Sequence, residues 1–73
     1  MSFEVVIASH HENDSLVSEI WHNDEQVAEI SKNEEKLKID IFPRENGQFW
    51  EFDLAELIDA VEIAKSKMLF SIE

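Results

Sequence analysis

The chain has 73 residues, 44% of them hydrophobic, 32% charged and none cysteine, with a formal net charge of −11. At this size folding buries about 60% of the unfolded chain's surface, which allows one domain with a single-layer core, no enclosed active site and, without cysteine, no disulfide or thiolate zinc reinforcement. With 17 carboxylates against six basic residues the field repels phosphate, which argues against direct nucleic-acid binding, and no apolar run approaches the roughly 20 residues of a membrane span.

Phe3 to Ser9 is β-branched and apolar and reads as a strand, followed by the polar stretch His10-His11-Glu12-Asn13-Asp14. Leu16 to His22 and Gln26 to Ser31 are short runs around Asn23-Asp24, a pair that tolerates positive φ and predicts a hairpin. Lys36 to Phe42 alternates strictly, with Leu37, Ile39 and Ile41 on one side and Lys36, Lys38 and Asp40 on the other, the period of a half-buried strand. Pro43 to Gln48, containing Asn46-Gly47, turns the chain before the aromatic run Phe49-Trp50-Glu51-Phe52, a candidate fifth strand. Asp53 and Glu56 have the spacing of a capping box, which starts a helix at about Leu54 and runs it to about Leu69. On the helix wheel Leu54, Leu57, Ile58, Val61, Ala64 and Met68 share one stripe, and Lys65 and Lys67 near the end suit the helix dipole.

These elements predict one α+β domain over residues 1–73: an antiparallel sheet of four or five meandering strands with a C-terminal helix packed on one face. A single helix covers only one sheet face, so the other meets water or a partner. If Phe3, Val5, Ile7, Leu16, Ile20 and Ala28 face the helix, together with Ile30, Leu37, Ile39, Ile41, Trp50 and Phe52, alternation assigns the opposite face. That face then holds Glu4, Val6, Val17, Glu19, Trp21 and Val27, with Glu29, Lys38, Asp40, Phe42, Phe49 and Glu51. Its large apolar residues among carboxylates exceed what a solvated face needs. Glu19, Trp21, Val27, Glu29, Phe42, Phe49 and Glu51 are therefore the interface candidates. A one-residue register change would instead make Trp21 and Phe49 core residues. Ile63 and Phe70 fall on the back of the helix wheel, where they either fold onto the core near the C-terminus, with Ile72, or form a dimer contact.

His10-His11 with Glu12 and Asp14 are metal-ligand types, but adjacent histidines entering a loop diverge and spacing sets no third or fourth ligand. A solvated turn is the expectation there, with no metal. His22 lacks a neighbouring nucleophile motif, and one glycine leaves no phosphate-cradling loop. Carboxylate pairs arise by chance at this acidic content, so neither catalysis nor a cofactor has a positive signal. Electrostatics says more. Residues 1–31 carry seven acidic residues and no Lys or Arg. Steering carboxylates interleaved with Trp21, Phe42 and Phe49 suit contact with a basic protein surface.

The segments Ser18–Ser31, Lys36–Pro43 and Trp50–Leu57 resemble a pattern found in short bacterial proteins of unknown function. The resemblance rests on strand, turn and helix-cap positions; it implies a bacterial cytoplasmic α+β domain and carries over no activity or site residue. The function expected is a non-enzymatic acidic interaction module of the immunity or inhibitor kind, masking a basic nuclease or other nucleic-acid-binding surface. The alternative is a structural homo-oligomer, with a homodimer the simplest case and the acidity serving solubility, and an enzyme comes third.

Overall fold

Asn23 and Asp24 adopt φ values of 53° and 66°, the backbone a two-residue hairpin turn requires, and join β2 (Leu16–His22) to β3 (Glu25–Asn33). The computed structural model describes residues 3–9 and 16–71, with side chains through residue 69. β1 (Phe3–Ser9) precedes this hairpin and β4 (Lys36–Ile41) follows it, giving a four-stranded antiparallel meander in the order β1-β2-β3-β4. The β3–β4 turn has no Gly or Asn. It is made by Glu34, at φ 63°, and Glu35, with Asn33 just before them as the one residue of a turn-favouring type.

Helix α1 (Leu54–Ser71) is capped as its sequence requires, the Glu56 amide donating to Asp53 Oδ2 at 3.0 Å and the Leu57 amide to Asp53 O at 3.0 Å. The helix packs on one face of the sheet, and the domain is α+β. No helix among the described residues is long and apolar enough to cross a membrane.

Strand pairing places Val5 opposite Ile20, Ile20 opposite Ala28, and Ile30 opposite Ile39, so these residues share the helix face, as their alternation predicts. The core is Ile20, Val27, Ala28 and Ile30 from the sheet against Ala60, Ala64 and Met68 from α1, with Phe3, Val5, Leu37, Trp50, Phe52 and Val61 packed around them. Small residues meet at its centre. The fully buried Ser18 hydroxyl donates to Ala64 O at 2.9 Å, a contact that Ala64 and Ala60 permit because neither holds the helix off the sheet.

The structure changes three sequence expectations. Ala60, Ala64 and Met68 face the sheet, whereas Leu54 and Ile58, assigned to the same stripe, point sideways, with Leu54 69% exposed. The helix is rotated to put its smallest side chains inward. It lies against β1, β2 and β3 and does not reach β4, so Ile39 and Ile41 are on the helix face but exposed, Ile41 by 67%. Phe49 to Phe52 form no strand, and the irregular segment from Phe42 to Asp53 crosses the hairpin end of the sheet instead. Trp50 and Phe52 reach the core from that segment rather than from a fifth strand.

Ser18→Ala is expected to lower folding stability by about 1 kcal/mol, the usual net value of one internal hydrogen bond. Ala64→Leu should cost about 1–3 kcal/mol or more, because added volume must push the helix off β2. Urea midpoints of the two variants check the order: a milder loss from Ala64→Leu than from Ser18→Ala would contradict close packing at this point.

Candidate functional site

The sheet face away from α1 has no secondary structure over it among the described residues, and its composition follows from register. Val6 pairs with Glu19, Glu19 with Glu29, and Glu29 with Asp40, so one cross-strand row ends in three successive carboxylates. Directly opposed like charges weaken a sheet. Lys38 approaches Asp40 at 3.8 Å, but both side chains are about half exposed, so the pair offsets little of that repulsion. The next row places Glu4 opposite Trp21 and Trp21 opposite Gln26. Trp21 is half-buried and its Nε1 donates to Glu19 Oε1 at 3.0 Å, which orients both the indole and the carboxylate.

The candidate interface residues separate into three groups. Glu19, Trp21 and Glu29 lie together on the outer face, and Phe42, half-buried, extends it past the end of β4, where its amide donates to Val27 O at 2.8 Å. Phe49 and Glu51 are exposed on the irregular segment, Phe49 by 89%, and line a separate concavity. Val27 is a correction. It is 3% exposed and belongs to the core cluster. The reason is a bulge: Ile20 pairs with Ala28 but Trp21 with Gln26, leaving Val27 as the extra residue that breaks the alternation used to place it outside. Val17, expected on the same outer face, is buried as well, so the apolar surplus there reduces to Val6, Trp21 and Phe42.

The concavity at the hairpin end has a volume of about 590 Å³ and is lined by His22, Glu25, Arg44, Phe49, Trp50 and Phe52 among others. Its wall is an aromatic cluster, stacked at Trp50–Phe52 and edge-on where Phe52 meets Phe3 and His22. Phe52 lies 4.9 Å from Phe3, 5.0 Å from His22 and 5.2 Å from Trp50, ring centre to ring centre. Trp50 Nε1 donates to Phe42 O at 2.6 Å, and Arg44 sits over the Trp50 ring at 5.2 Å while its Nη2 meets Glu25 Oε1 at 3.2 Å. Arg44 Nε is buried with no hydrogen-bond partner among the described residues. Sequence reading missed Arg44 because a lone arginine in a Pro-Arg-Glu-Asn-Gly turn looks solvated; only the fold brings Glu25 and Trp50 to it.

The expected metal-free turn at His10, His11, Glu12 and Asp14 lies outside the described residues, as do the side chain of Phe70 and residue Ile72. Among the described residues no group of three or more His, Asp or Glu is placed to hold a metal ion. Ile63 is half exposed on the helix.

Two experiments test this placement. Trp21→Ala is expected to cost folding about 1 kcal/mol, near the value for partly exposed sites, against about 2–5 kcal/mol for Ile20→Ala in the core. Equal losses in a denaturant series would mean that Trp21 is a core residue. In a Trp21→Phe background Trp50 is the sole indole, and there Arg44→Lys should lower stability by about 1 kcal/mol and change the indole emission, because an ammonium keeps the charge near Glu25 but cannot stack as a guanidinium does. Unchanged emission would sink the stacked arrangement.

Comparison of the chain with protein-family models, with curated proteins and with solved structures finds no match.

Proposed function

We propose that this protein is a non-enzymatic interaction module that uses its outer sheet face to cover a basic protein surface, in the manner of an immunity or inhibitor protein. The observation that carries this reading is the row Glu19–Glu29–Asp40 beside Trp21. Three aligned carboxylates weaken the sheet that holds them, the Trp21–Glu19 hydrogen bond and the exposed Lys38–Asp40 pair offset only part of that, and features that break a stability rule in this way point to function. A basic partner would supply the missing compensation. Trp21 supplies the other ingredient, an amphipathic aromatic anchor held in orientation by Glu19. The chain's net charge of −11 adds long-range steering toward a cationic patch such as a nuclease or other nucleic-acid-binding protein presents.

A peptide of alternating Arg and Lys is a sufficient probe, because it has the charge of such a patch without its shape. Titration is expected to show binding that weakens at least tenfold between about 50 and 300 mM salt, as screening shortens the reach of the acidic face. Glu29→Lys should weaken binding about tenfold or more, whereas Glu62→Lys, an identical charge change on exposed α1, should have a much smaller effect. Equal effects of the two would mean that the peptide reads only net charge, and the outer face would lose its assignment.

A further inference from the structure

The four-stranded meander has two edges, β1 and β4, and the fold treats them differently. On the β1 side α1 packs over the strand and Lys67 Nζ donates to Val5 O at 3.4 Å. The β4 side has no such cover among the described residues. There α1 stops short of the strand, leaving a notch of about 220 Å³ whose lining includes Ile30, Leu37, Ile39, Val61 and Lys65. One hydrogen bond fixes which backbone groups of β4 are free. The Phe42 amide donates to Val27 O at 2.8 Å, so by alternation Lys36, Lys38 and Asp40 also turn their N–H and C=O groups to β3, and Leu37, Ile39 and Ile41 turn theirs outward. The segment after Phe42 leaves this edge open, because Arg44 and Trp50 carry it back toward Glu25 and the β2–β3 turn. A row of unpaired backbone groups beside exposed Ile39 and Ile41 is a template for another strand.

We propose that this template takes β4 of a second copy, antiparallel about a two-fold axis at Ile39 that stands perpendicular to the sheet, so that two sheets join into one. Charge selects both the occupant and the register. With the axis at Ile39, Lys38 of each copy lies directly opposite Asp40 of the other, in non-hydrogen-bonded pairs, where side chains come closest. Ile39 then meets Ile39 and Leu37 meets Ile41 through their outward groups, about six backbone bonds in all. Other registers lose this match. An axis one residue to either side sets Lys38 against Lys38 or Asp40 against Asp40, and an axis at Leu37 sets Lys36 against Lys38. An axis at Ile41 runs Ile39 into Pro43, which has no N–H to give. The perpendicular axis keeps both helices on one face, each over its own first three strands, with both β4 strands between them. The row Glu19–Glu29–Asp40 then ends on a cation of the second copy, and Glu19 and Glu29 stay uncovered.

A single-strand seam is a small interface, so sedimentation is expected to show the dimer at chain concentrations of about 0.1–1 mM. Amide hydrogen exchange over the same range locates the contact. The Leu37, Ile39 and Ile41 amides should slow at least tenfold as the dimer forms, whereas those of Lys38 and Asp40, bonded to β3 in either state, should change far less. Asp40→Lys should weaken dimerisation about tenfold or more by facing Lys38 of the other copy, although it lowers the repulsion between two copies of net charge −11. Lys38→Asp should weaken it as well. The double variant carrying both substitutions exchanges the two charges, keeps the match and should recover the parent's association. A monomer at about 1 mM would overturn the proposal, as would protection that spares Leu37, Ile39 and Ile41. So would a tighter dimer in Asp40→Lys, the outcome net charge alone demands, or a folded double variant that stays dissociated.

Discussion

The contact between Ser18 and Ala64 is the constraint on which the rest of the molecule depends. A hydroxyl on a central strand reaches a helix carbonyl only if the two backbones come close, and here Ala60 and Ala64 on the helix face Ser18, Ile20 and Ala28 on the sheet. Small residues permit this approach. It rotates α1 so that its alanines and Met68 point inward, and it turns Leu54 and Ile58 to the side. It also centres the helix over the first three strands, so of the inner face of β4 only Leu37 packs against the core while Ile39 and Ile41 stay exposed. One packing choice thus creates both the core and the uncovered notch beside it.

The segment from Phe42 to Asp53 closes the other open end. A chain with so thin a core gains from covering the sheet's hairpin end, and it does so with side chains rather than with a strand: Phe52 and Trp50 pack on Phe3 and His22, and Arg44 ties the segment to Glu25. Because the segment is irregular, its backbone groups turn back on themselves locally, as in the Asn46 side chain accepting from the Gln48 amide and the Arg44 carbonyl accepting from the Gly47 amide, at a positive φ of 79° that suits glycine. The concavity between this segment and the β2–β3 turn follows from that path.

The outer face and the notch lie on opposite sides of one sheet and differ in chemistry. One is acidic with a single oriented indole; the other is aliphatic with a lysine at its rim.

Much of the fold was legible because its determinants are local. The alternation of Leu37, Ile39 and Ile41 against Lys38 and Asp40 set the face of β4, Asn23-Asp24 set the hairpin, and Asp53 with Glu56 set the helix start, each through backbone geometry that neighbouring residues control. Register then followed, and with it the shared face of Glu19, Trp21 and Glu29. What only the tertiary structure decided is where one element meets another. The bulge that buries Val27 depends on pairing between strands, and the environment of Arg44 depends on a segment crossing back over a turn. The exposure of Leu54, Ile58 and Ile41 depends on how closely α1 seats on the sheet. A hydrophobic wheel weights side chains by apolarity alone, whereas close packing weights them by size, and here the small residues won the inward face.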